Sequence, residues 1–123
     1  MNNTDANCTF QQLSEWHREM LTRLLNASFP GQQELKSQVL DSRFRVIDGN
    51  QSLEIFPTSS IAAPVAKRIP VEAYAADEDG MQIQLLLFTR QGLAYMLEVL
   101  RGDGEQVKRL PPASAFNVTV LGV

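Results

Sequence analysis

Two apolar runs, "MQIQLLLF" at 81–88 and "LAYMLEVL" at 93–100, are separated only by "TRQG". This spacing constrains the chain more than any other feature. A link that short makes a hairpin and leaves no room for a crossover helix, so the two runs must lie side by side and antiparallel. The first alternates, with Met81, Ile83, Leu85 and Leu87 on one face, while Leu86 and Phe88 make the second face apolar as well. In the second, Leu93, Tyr95, Leu97 and Val99 are opposed by Ala94, Met96, Glu98 and Leu100. Strands apolar on both faces are expected at the centre of a sheet, covered on each side.

The rest of the chain arranges itself around this hairpin. Residues 1–8 are polar and are expected to form a flexible N-terminus, leaving residues 9–123 as a single domain. Thr9 and Gln12 have capping-box spacing. Leu13, His17, Met20 and Leu24 recur at helical spacing, with Trp16, Leu21 and Leu25 widening the stripe, which predicts a helix over about 9–27. "FPG" at 29–31 ends it, and Leu35, Val39 and Leu40 suggest a second helix over about 31–41.

From Ser42 onward the period changes. Phe44, Val46 and Asp48, a turn at Asp48-Gly49-Asn50, and Leu53 and Ile55 read as a hairpin. Pro64 and Pro70 limit any strand between them to an edge, or to a start after Pro70. "VEAYAAD" reads as a strand, "DEDG" at 77–80 as a solvated turn, and "NVTVLGV" as a short last strand. Helices first and strands after make an α+β order: two N-terminal helices packed on one antiparallel, meander-like sheet.

Composition narrows the function. A net charge of −3 argues against backbone-driven nucleic-acid binding, which needs clustered lysine and arginine. Cys8 is the only cysteine, so no intrachain disulfide forms, in keeping with a reducing cytoplasm. The start "MNNTDANCTF" has no signal-peptide pattern, and no uninterrupted apolar run, Leu85 to Phe88 included, is long enough to span a membrane.

Catalytic chemistry finds little support. His17 is the only histidine, and it lies on the helical stripe without an identifiable nucleophile. Cys8 lies in the polar start, away from any evident base. Asp77, Glu78 and Asp79 resemble half of a calcium loop, but Gln82, Ile83 and Gln84 do not continue the ligand pattern. Glu98, inside "YMLEVL", must be exposed, paired or protonated. If Glu72 and Glu54 share its face they make an acidic patch, whereas Arg68, Arg90 or Arg101 would neutralise it across the sheet. No catalytic residue, metal site or cofactor is expected.

Residues 69–111 resemble a family of small bacterial domains with a helical start and a "P-V-x…D-x-D-G…L-L-x-x-x-x-G-x-L-x-x-L-E-x" core. Pro70-Val71, Asp77, Asp79-Gly80, Leu86-Leu87, Gly92, Leu93 and Leu97-Glu98 carry the match here, and residues 21–39 resemble the helical start. Such domains are similar in size and acidity to immunity proteins, which neutralise a cognate toxin in the bacterial cytoplasm. The resemblance implies an inhibitor with no reaction of its own. Under that reading Asp77, Glu78, Asp79, Asp103 and Glu105 are the expected partner-binding residues, steering a basic nuclease toxin. Two alternatives stand beside it. One is a small-ligand or accessory domain with a pocket between helix 1 and the sheet. The other is an enzyme using Glu98 and a second carboxylate.

Overall fold

The structure is a computed structural model in which residues 8–121 are described. The flexible segment expected over 1–8 therefore lies outside the described residues, except for Cys8. Cys8 is not frayed: Cys8–Thr9 forms β1, paired with Phe44 and Arg43.

The long N-terminal helix expected over 9–27 is divided. Phe10–Gln12 makes a single 3-10 turn, Leu13 is extended, and α1 spans Glu15–Leu25. Ser14 causes the restart, because its hydroxyl accepts the His17 N–H and so caps the helix. The apolar stripe survives the break, and Met20, Leu21 and Leu24 are wholly buried. The second helix, α2, spans Gln32–Leu40 and adds Leu35 and Val39 to the same core.

Six further strands complete the sheet: β2 (Arg43–Val46), β3 (Leu53–Phe56), β4 (Val71–Ala76), β5 (Gln82–Arg90), β6 (Leu93–Arg101) and β7 (Asn117–Val120). All are antiparallel, in the order β1-β2-β3-β6-β5-β4-β7. The β4–β5–β6 meander forms the middle, β2–β3 docks on the far side of β6, and β7 adds to β4. The β5–β6 hairpin is central, as its pattern requires.

The two faces differ. Ile83, Leu85 and Leu87 of β5 share one face with Leu97 and Val99 of β6, Leu53 and Ile55 of β3, Phe44 of β2, and Val71 and Ala73 of β4. These side chains are at most 2% exposed and form one core with the helices. Each fully buried large apolar side chain contributes about 2 kcal/mol. On the other face Leu86, Phe88, Met96 and Leu100 are only half-buried, and neither helix lies over them. Among the described residues, helices therefore cover the central strands on one side, not two. Only α1 and α2, among the described residues, are long enough to layer the sheet, and both apolar stripes lie on the same side.

A bulge alters the expected alternation in β6. Phe88 pairs with Met96 but Thr89 pairs with Ala94, leaving Tyr95 as an extra residue. Ala94, not Tyr95, consequently joins Leu97 and Val99 in the core, and Tyr95 turns to the open face beside Phe88. A strict two-residue period cannot anticipate such a slip.

The hairpin turn is Gln91-Gly92, with φ of 53° and 79°. Positive φ at both positions is what a two-residue primed turn requires. A Cβ on Gly92 would sit 2.6 Å from the Ala63 carbonyl oxygen. That contact exists because the 57–70 connector crosses the turn, where the Ala63 N–H donates to the Gly92 carbonyl at 2.8 Å. The Gln38 amide, buried on α2, donates to the Gly92 and Ile61 carbonyls and accepts from the Ala94 N–H. One side chain thus fastens helix, connector and hairpin.

Candidate binding surface

His17 is 2% exposed and is not a free base. Its Nε2 donates to the Gln51 carbonyl at 2.8 Å, so Nδ1 accepts from the Ser14 hydroxyl at 2.7 Å. Burial lowers its pKa below the usual 6.5, and the Gln51 carbonyl only partly offsets this. The neutral ring joins the start of α1 to the β2–β3 turn, where Gln51 takes a φ of 73°. Cys8, half-buried in β1, has its thiol pKa raised by burial, the opposite of nucleophile activation.

The five acidic residues meet at one end of the sheet, because the β4–β5 turn lies beside the turn that follows β6. Arg101 binds them together. Val99 and Arg101 share a face, so the guanidinium enters the helix side of the sheet and is 6% exposed. Its Nη1 lies 3.0 Å from Asp77 and 2.8 Å from Asp79, while Nε and Nη2 form a fork onto Asp103.

The turn is not wholly solvated as its composition suggests. Asp77 is 4% exposed and accepts the backbone N–H groups of Glu78, Lys108 and Arg109. Burial alone would raise its pKa. The N–H groups of Lys108, Glu78 and Arg109 and the Arg101 guanidinium outweigh burial, holding it well below the ordinary carboxylate range. Asp103 is pulled down to about 2, first by Arg101 and then by the Glu105 N–H. Asp79 is lowered by the Met81 N–H and by Arg101, against burial. Asp77 anchors the 105–112 connector and has little surface to offer a partner. Glu78, Asp79, Asp103 and Glu105 are exposed and form an acidic corner.

The open face carries the other candidates. Glu72, Glu54 and Glu98 do share it, since Glu72 pairs with Leu86, Leu86 with Glu98, and Glu54 with Met96. Glu72 and Glu98 stand two strands apart, about 10 Å. Glu72 accepts from the Tyr74 hydroxyl at 2.6 Å and the Gln84 amide at 3.0 Å, and Glu54 pairs with Arg45. The cross-sheet partners considered for Glu98 are engaged elsewhere: Arg101 is on the other face, Arg68 lies over Phe88 and Arg90 over Tyr95. Glu98 is half-buried and makes no ion pair among the described residues.

Beside Tyr95, a cleft of about 490 Å³ runs between Arg45, Ile47, Glu54, Phe56, Arg90 and Met96. A second, of about 590 Å³, lies on the outer flank of α1 against Phe10, Arg18, Arg23 and Ser114. It is not between the helix and the sheet, where fully buried core side chains fill the space. No sequence signal marked the Arg–aromatic surface, because its members come from β3, β5, β6 and the 57–70 connector. Among the described residues no group of three histidine, cysteine or acidic side chains is arranged to hold a metal ion, and no helix is long and apolar enough to cross a membrane. Comparison of the chain with protein families, curated proteins and solved structures finds no match.

Proposed function

We propose that this chain is a cytoplasmic binding protein of the immunity type, which neutralises a cognate protein toxin by covering it and catalyses no reaction itself. One observation carries the reading: among the described residues, a seven-stranded sheet has no helix over one face, and that face presents half-buried Leu86, Phe88, Tyr95, Met96 and Leu100 on rigid strands. Aromatic residues, methionine and arginine are the side chains enriched in protein interfaces, and a fixed sheet loses little entropy on docking. The acidic corner adds long-range steering toward a basic partner, such as a nuclease toxin.

The test is co-expression with the product of the adjacent gene, followed by hydrogen exchange on the purified complex. Protection of β5 and β6 amides with restored growth is expected. Protection confined to the helical face, or no complex with a neighbour that is toxic alone, would overturn the reading. The small-ligand alternative moves to the outer cleft of α1, where the Arg23 Nε is buried without a hydrogen-bond partner.

A further inference from the structure

One end of the open face holds a continuous row of arginine and aromatic side chains. The Arg68 guanidinium lies 5.8 Å from the Phe88 ring centre, Phe88 lies 5.9 Å from Tyr95, and Tyr95 lies 4.2 Å from the Arg90 guanidinium. The β6 bulge makes this possible by turning Tyr95 toward Phe88. The connector supplies Arg68, whose carbonyl accepts both the N–H and the hydroxyl of Thr89 at 2.7 and 2.9 Å. Both arginine side chains are exposed, and neither makes an ion pair among the described residues.

Two cations thus lie over aromatic rings, and neither guanidinium makes a hydrogen bond among the described residues. Contact with a ring restricts each long side chain in advance, so less entropy is lost when a carboxylate arrives. The neighbouring cleft offers Phe56, Met96 and Ile47 for apolar contact. We infer that this row is a docking platform for an acidic segment of a partner protein, carrying carboxylates for Arg68 and Arg90 and an apolar side chain for the cleft. The inference rests on the open face being the binding surface and adds the partner's chemistry at that end. A protein segment fits better than a nucleic-acid strand. Glu98 lies on the same face with no ion pair among the described residues, and it repels a continuous phosphate backbone while Arg68 and Arg90 leave two discrete carboxylate positions.

The experiment is an amide-shift titration of the isotope-labelled full chain with three probes: a peptide alternating glutamate with leucine and phenylalanine, the same peptide with lysine for glutamate, and a short oligothymidine. The acidic peptide should shift Arg68, Phe88, Arg90, Tyr95 and Met96, and salt should weaken it. Arg68→Gln with Arg90→Gln should lower its affinity about tenfold or more. Arg68→Lys with Arg90→Lys should recover only part of the loss, because lysine keeps the charge without the planar fork. Three results overturn the platform: no shifts at these residues, equal shifts with the lysine peptide, or tighter binding of oligothymidine to the same face. Failure here with β5 and β6 still protected in a toxin complex would refute the platform alone. Loss of that protection as well would refute the binding-surface reading itself.

Discussion

The two ends of the β5–β6 hairpin carry opposite charge and use it in opposite ways. At the acidic end, Arg101 is buried and saturated by Asp77, Asp79 and Asp103. At the turn end, Arg68 and Arg90 lie exposed over rings and meet no carboxylate among the described residues. Acidic composition marks the first end as the surface for a partner, yet much of its charge is spent on folding. The lesson is that a charged residue's role depends on what the sheet places opposite it. Buried, hydrogen-bonded charge holds the fold, and exposed, preorganised charge remains available for binding.

The sharpest way to break the contrast is to remove the buried anchor. Asp77→Asn leaves Arg101 short of a carboxylate and should lower the thermal midpoint on the order of 10 °C, measured by calorimetry. A change no larger than that of Glu78→Gln would show that the cluster is not a fold element. The same cluster sets an acid limit. Asp77 and Asp103 are lowered from the ordinary 3.8, Asp103 to about 2. The unfolded chain therefore takes up protons first as pH falls. Stability present above pH 3.8 should be lost progressively toward pH 2, and Asp77→Asn should flatten that part of the profile.

At the opposite end, the critical residue is uncharged. Gly92→Ala meets both a φ of 79° and the Ala63 carbonyl, and should cost about 2 kcal/mol in denaturant unfolding. Gln91→Ala, beside it, should cost less, having no such clash. His17→Ala should cost about 1–2 kcal/mol, since it leaves the Gln51 carbonyl without its donor. Because the folded histidine has a pKa below 6.5, its contribution is present above that pH and fades as pH falls through it. A His17→Ala profile parallel to the parent's between pH 7 and 5 would show that the ring is not the titrating group.

The smallest stability effects are expected where binding matters most. Arg68→Gln, Arg90→Gln, and Glu78→Gln with Glu105→Gln should each stay within about 0.5 kcal/mol per site. With a partner in hand they should separate: the arginine changes should chiefly speed dissociation, and the glutamate changes should slow association and flatten its salt dependence. Identical association rates and salt slopes would remove the acidic corner from the interface.

Much of the fold was legible because the governing interactions are local. The period of 85–100, the "RQG" turn, the break at "FPG" and the change of pattern at Ser42 each express backbone preferences a few residues long. Other features were not legible for the converse reason. The Ser14 restart was masked by a stripe that continues through it. The uncovered face was masked because Leu86, Phe88 and Leu100 have a core composition, and covering them depends on whether another layer exists. The Arg101 cluster joins turns more than 20 residues apart, and nothing in either turn signals which arginine reaches them.

The sequence by itself determined most of the longer elements and their antiparallel pairing in the central hairpin, and it lacks the local motifs by which common catalytic sites are read. Only the tertiary structure decided strand order, the slip at Tyr95, and which charges are neutralised and which are presented. Secondary structure follows from sterics and periodicity along the chain, which residue types report directly. A charge's role depends on the burial and partners it acquires across the fold, and these exist only once distant segments have met.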